Sequence, residues 1–89
     1  MVLRRYWFEF DHAASTAARM MPWVGVTALS LEDAGELVSH DLFGGDPLPP
    51  TTRIVEDVDI QTLDADHVLN QMSPPHRRGV WYPRGYERK

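Results

Sequence analysis

"WVGVTALSLEDAGELVSHDLFGG" (residues 23–45) holds a strand, a turn, a helix and a stop signal in one run. Val24, Val26 and Thr27 are β-branched and pack well on a pleated surface, so 23–28 reads as a strand. Ser30 is a good helix N-cap, and Asp33 sits where a capping-box acid reaches back. Leu31, Ala34, Leu37, Val38 and Leu42 fall on one helical stripe. Glu32, Asp33 and Glu36 place negative charge in the first turns, where it complements the helix dipole. Gly44-Gly45 supplies the left-handed terminator. Gly35 is the discordant residue, costing ~1 kcal/mol relative to Ala unless something packs closely on it.

Upstream, "LRRYWFEF" (3–10) alternates with period two. Tyr6, Phe8 and Phe10 form a core face, while Arg5, Trp7 and Glu9 form a half-exposed one on which Trp7 spreads over the Arg5 stem. Residues 11–22 fit two readings equally: a short helix over 13–20 capped by Asp11 and ended by Pro22, or a loop of small polar residues.

Downstream, "DPLPPTT" (46–52) is a stiff connector. "RIVEDVDI" (53–60) is a strand with Ile54, Val58 and Ile60 on its apolar face. Val55, Asp57 and Asp59 lie on the other. Glu56 falls on the apolar side, which argues for a bulge or an edge position. Strand, helix and strand in that order predict a right-handed crossover between parallel strands. A short helix or turn follows at 62–72, capped by Thr62 or Asp64, with Val68, Leu69 and Met72 inward. "SPPHRR" breaks the chain, and "GVWYP" (79–83) is a final strand with Val80 and Tyr82 inward and Trp81 outward. The fold expected is α+β: one domain over 1–84, with a mixed sheet of about four strands. One main helix packs on one face, with one or two short helical turns, and 85–89 is a basic tail.

The 89 residues, 43% hydrophobic with nine aromatics, suffice for one compact core. A chain this short buries only roughly 60–65% of its unfolded surface. The absence of cysteine excludes disulfides, thiolate zinc sites and thiol nucleophiles. "MVLRRYWFEFDH" is too charged for a signal peptide, and no apolar run reaches the ~20 residues of a membrane span. The expectation is a cytoplasmic protein. Eight arginines against one lysine fit a GC-rich bacterial or phage coding sequence.

The net charge of −4 is unevenly spread. Residues 1–30 carry +1, 31–69 carry −9 (ten acids against Arg53), and 70–89 carry +4. An acidic domain is a poor generic nucleic-acid binder, because phosphate affinity needs a net positive footprint.

Candidate chemistry is sparse. Asp57 and Asp59, with His67 from the following turn, offer carboxylate and imidazole ligands to a cation, yet the spacing matches no calcium loop and no zincin. The plainer reading of Asp57, Asp59, Asp64 and Asp66 is a solvated acidic rim. His40 sits in the last helical turn, where the dipole accounts for it. Gly44-Gly45 and Gly79 lack the lysine of a phosphate loop. Arg77, Arg78, Arg84, Arg88 and Lys89 are interleaved with Trp81, Tyr82 and Tyr86, a pattern able to stack bases. Arg77 and Arg78 equally well neutralise the acidic middle segment.

The leading expectation is a non-catalytic regulatory protein of the inhibitor, immunity or phage counter-defence kind. It needs no cofactor and binds another protein that has a basic surface. Arg5, Trp7, Trp81 and Arg84 form one expected binding patch, and Asp57, Asp59, Asp64 and Asp66 a second. The alternatives are a minimal metal-dependent enzyme using Asp57, Asp59 and His67, and single-stranded RNA binding through 76–89. Homodimerisation through an exposed edge, near 53–60 or at the last strand, is a further expectation.

Overall fold

A computed structural model describes residues 2–11, 13, 21–63, 68–69, 72 and 75–83. Four strands, β1 (Arg4–Phe10), β2 (Trp23–Ala28), β3 (Thr51–Glu56) and β4 (Gly79–Tyr82), form a sheet of order β3-β1-β2-β4. The helix α1 (Leu31–Leu42) follows β2, and a 3-10 turn, Ile60–Thr62, follows β3. This is the α+β architecture expected. Every neighbouring pair is antiparallel, so the sheet is not mixed. β2 and β3 do run parallel across the α1 connection, but β1 lies between them. Among the described residues no helix is long and apolar enough to cross a membrane.

One face of the sheet packs on α1. Tyr6, Phe8 and Phe10 of β1 join Val24, Val26 and Ala28 of β2, Val80 of β4, and Ala34, Leu37 and Val38 of the helix. Phe8 and Phe10 stack at 6.1 Å, and Phe43 closes the end of this layer edge-on to Phe10 at 5.6 Å. The period-two and 3.6-residue patterns thus select the residues they predict, except Leu31, which is 40% exposed in the first turn of the helix.

The opposite face is also a core, and here the expectations fail. Trp7 is 4% and Trp81 1% exposed, packed with Val58 and Val68 and flanked by Val55, Leu63, Met72 and Tyr82. The two indoles stack at 6.1 Å, and Tyr82 leans on Trp7 at 5.5 Å. The exposure expected of both tryptophans is therefore wrong. A second layer, supplied by residues after β3, covers the side taken to face solvent. The phase of β4 differs for a local reason. Val26 pairs with Val80 and Gly25 with Tyr82, leaving Trp81 as the extra residue of a bulge. A bulge turns adjacent side chains to one side, so Trp81 joins Tyr82 on the second face. Gly25 makes room for it: a Cβ there would lie no farther than 2.7 Å from three atoms of the Trp81 ring.

β3 is shorter than the expected 53–60. It ends at Glu56, and Asp57 turns the chain in the left-handed region, φ 54°. Within the strand the faces are exchanged, since Val55 packs on the second core while Ile54 is 40% exposed; past the turn, Val58 and Ile60 do lie inward as expected. Helix α1 lies over β2 and β4 and leaves β3 uncovered. Asp59 caps the 3-10 turn, its side chain accepting from the Gln61 amide at 3.0 Å. The helix or turn expected over 62–72, with Thr62 or Asp64 as its cap, falls largely outside the described residues. The expected helix over 13–20 falls largely outside the described residues, as do Asp64 and the tail 85–89.

The ends of α1 match the sequence. The Ser30 hydroxyl accepts from the Asp33 amide at 3.1 Å, while the Asp33 carboxylate accepts from the Leu29 amide at 2.9 Å. The same carboxylate takes Nε of Arg78 at 2.9 Å and a second guanidinium nitrogen. That pair holds the Arg78 guanidinium above its ordinary pKa, chiefly through the hydrogen bond to Asp33. The charge pairing expected between the segment before β4 and the acidic middle is thus present, fixing the entry to β4 against the start of the helix. Gly44 and Gly45, φ 62° and 90°, end α1, with the Gly45 amide bonded to the Ser39 carbonyl at 2.9 Å.

Gly25→Ala should cost ~1–3 kcal/mol in urea unfolding, the usual range for overpacking. In a Trp81→Leu background the same alanine should be neutral or stabilising, because the crowding ring is gone. Additive costs would show that the ring does not sit over Gly25. Ser30→Ala should cost ~1 kcal/mol by the same measurement, as a lost N-cap.

Candidate functional site

The second face is organised in rows that cross the strands. At one end stand Arg53, Glu9 and Trp23, paired in register on β3, β1 and β2. The middle row is Val55, Trp7 and Gly25, with Trp81 and Tyr82 lying over it. At the other end Arg5 pairs with Thr27. The indoles form a wall between the two end rows, and each end row opens into a cleft.

The cleft at the Glu9 row has a volume of about 380 Å³. Trp7 and Val55 line its apolar side, Trp23 and Arg53 the sheet end, and Asp57 and Asp59 the side formed by the turn. Glu9 is held in place: its Oε2 accepts from Trp7 Nε1 at 3.0 Å and meets Arg53 Nη1 at 3.4 Å. Trp23, 44% exposed, is the accessible indole of the three. A fixed carboxylate beside an open aromatic face suits a cation, since the ring quadrupole attracts positive charge and the carboxylate adds Coulomb energy. Glu9, Asp57 and Asp59 against Arg53 leave this rim net negative.

The cleft at the Arg5 row is about 310 Å³ and is more polar, lined by Arg4, Arg5, Thr27 and His76 among others. Arg4 is paired there with Asp57 at 3.0 Å. Thr27, the buried polar residue of the sheet, gives its hydroxyl hydrogen bond to the Pro75 carbonyl and so ties down the segment before β4.

The residues singled out from sequence fall as follows. Arg5 is exposed on the second face, but Trp7 and Trp81 are interior, so the three form no continuous surface. Arg84 lies outside the described residues. Asp57 and Asp59 are exposed neighbours, one bound to Arg4 and the other capping the 3-10 turn. Asp66 and His67 also lie outside the described residues. Among the described residues no three His, Asp or Glu side chains converge as a metal site would require. In the 76–89 stretch Trp81 is buried, Tyr82 is half-buried against Trp7 and Arg78 is bound to Asp33. The described part of that stretch therefore presents no aromatic stacking platform.

Trp23 and Arg53 are the residues that sequence reading passed over. The signal was present in the phase of β2. Val24, Val26 and Ala28 face the helix, so Trp23 must share its face with Gly25 and Thr27. What was missing was knowledge that this face has a covered middle and open ends.

No family model matches the chain, and no curated protein or solved structure matches it.

Acrylamide quenching should separate the indoles. Trp23→Phe should remove nearly all the quenchable emission, while the remaining Trp7 and Trp81 respond only on unfolding. Strong quenching that survives Trp23→Phe would mean that the second core is open.

Proposed function

We propose that this is a small, acidic, non-catalytic domain that regulates another protein by binding a basic part of its surface. That is the mode of action of inhibitor and immunity proteins. The observation that carries the reading is the Trp23 indole, open to solvent beside the fixed Glu9 carboxylate, in a cleft rimmed by Asp57 and Asp59. Trp and Arg are the residue types that most often dominate binding energy, and they do so where a pocket excludes water. A lysine or arginine of the partner fits this cleft, with its stem along Trp7 and Val55 and its charge between the ring face and the acids. The exposed acids on the rim speed encounter with a basic surface more than they tighten the complex.

This moves the expected patch rather than enlarging it. Arg5, Trp7 and Trp81 give way to Trp23, Glu9 and Arg53, while Asp57 and Asp59 remain. A cytoplasmic setting fits the charged surface and the absence of cysteine.

Affinity capture from cells that make the protein, with partners identified by mass spectrometry, tests the proposal. A true partner is retained by the wild type and weakened ~30-fold or more by Trp23→Ala, the effect of losing a hot spot of ~2 kcal/mol. Asp57→Asn with Asp59→Asn should slow association and flatten its salt dependence. A partner bound equally by the wild type and all these variants would overturn the assignment of the cleft.

A further inference from the structure

We propose that the cleft at the Arg5 row is a binding site for a phosphomonoester, separate from the Trp23 cleft at the other end of the same face. The two clefts carry opposite charge. Arg4 and Arg5 line the first against Asp57, whereas Glu9, Asp57 and Asp59 line the second against Arg53. On a chain of net charge −4 the first is thus a positive concavity, a shape that concentrates the field acting on an anion. Arg4, Arg53 and Arg78 each hold a carboxylate, of Asp57, Glu9 and Asp33 in turn. Arg5 is exposed on the rim and holds none among the described residues. Its guanidinium donors are left for a guest.

The walls narrow the choice of anion. Arg4 and Arg5 open β1, while His76 comes from the segment before β4, which Thr27 ties down through the Pro75 carbonyl. Thr27 is 2% exposed, so that wall is fixed before any ligand arrives. A neutral imidazole keeps one N–H donor whichever tautomer it adopts. Two guanidinium forks and an imidazole on separate walls suit a tetrahedral dianion, whose oxygens point in several directions. A planar carboxylate brings two oxygens on one side and a single charge. Arg4 can take part because its bond to Asp57 is open to water, the two side chains being 55% and 59% accessible, and such pairs are weak. The volume of about 310 Å³ lies at the small end of ligand pockets. Leu3, Val58 and Pro75 add apolar lining on which the carbon part of an ester can rest.

This site does not depend on the function proposed above, and either can fail without the other. The phosphate group is common to small metabolites and to phosphorylated side chains, so the probes include one of each.

Amide chemical shifts followed by NMR at constant ionic strength test it, with inorganic phosphate, glycerol 3-phosphate and a phosphoserine peptide as probes. Saturable shifts should centre on Arg5, Thr27, Val58 and His76, and sulfate should compete where acetate does not. A tighter response to glycerol 3-phosphate than to the peptide assigns a metabolite, and the reverse assigns a phosphorylated partner. Arg5→Gln should weaken phosphate binding ~10-fold or more, as the loss of a hydrogen bond between charged groups does. Asp57→Asn should tighten it several-fold, by releasing Arg4 and removing a like charge. Asparagine tolerates the left-handed backbone of that position, φ 54°, and a gain of binding does not come from misfolding. Arg53→Gln, which removes the same charge from the other cleft, should leave binding unchanged. Shifts that never saturate, or that spread over the whole surface, overturn the proposal. So does an Arg5→Gln variant that binds like the wild type, an Asp57→Asn variant that binds no tighter, or acetate competing as well as sulfate.

Discussion

The seat of the Trp81 ring on Gly25 is the constraint from which the second half of the structure follows. A sheet needs only one covered face to be stable, and α1 with Phe8, Val26 and Val38 provides that. What the glycine adds is a slot in the opposite face, deep enough for an indole to lie against the backbone. Once the ring is there, Trp7 has a stacking partner, Tyr82 has a ring to lean on, and Val58 and Val68 have a surface to close over. Each of these contacts is non-local. None has a counterpart in periodicity, so the second core is the part of the molecule that patterning cannot announce.

That difference explains how much was legible. The strand over 4–10, the capped helix with its glycine terminator, and the alternation of Val24, Val26 and Ala28 were readable, because each is written in spacing or in a local hydrogen bond. The pairing of Arg78 with the acidic segment was readable from charge alone, although Asp33 as its partner was not. The burial of Trp7 and Trp81 was not readable, because period two marks alternate faces without saying which is covered. Ile54 and Val55 exchanged roles for the same reason: α1 stops short of β3, and its reach is a matter of packing angle, not of composition.

The candidate site inherits this. Trp23 is open because it heads its strand, one row beyond the cover that hides Trp7. Its neighbour Glu9 is fixed by a buried indole N–H from the middle row. The core therefore positions the carboxylate, and the end of the sheet exposes the ring beside it. A surface residue held by a core residue needs little further ordering when it binds, which reduces the entropic cost of association.

The Gly25 seat also bears on the order in which the molecule can be assembled. Trp81 lies 56 positions after Gly25. During synthesis β1, β2 and α1 emerge together and can collapse on one another through contacts of short separation. The face carrying Trp7 and the empty glycine slot must then wait for most of the chain to appear. The growing chain thus carries half a finished core and half an open apolar surface. The slot and its indole can meet only once Trp81 has been made, and until then the apolar surface around Trp7 lacks its cover.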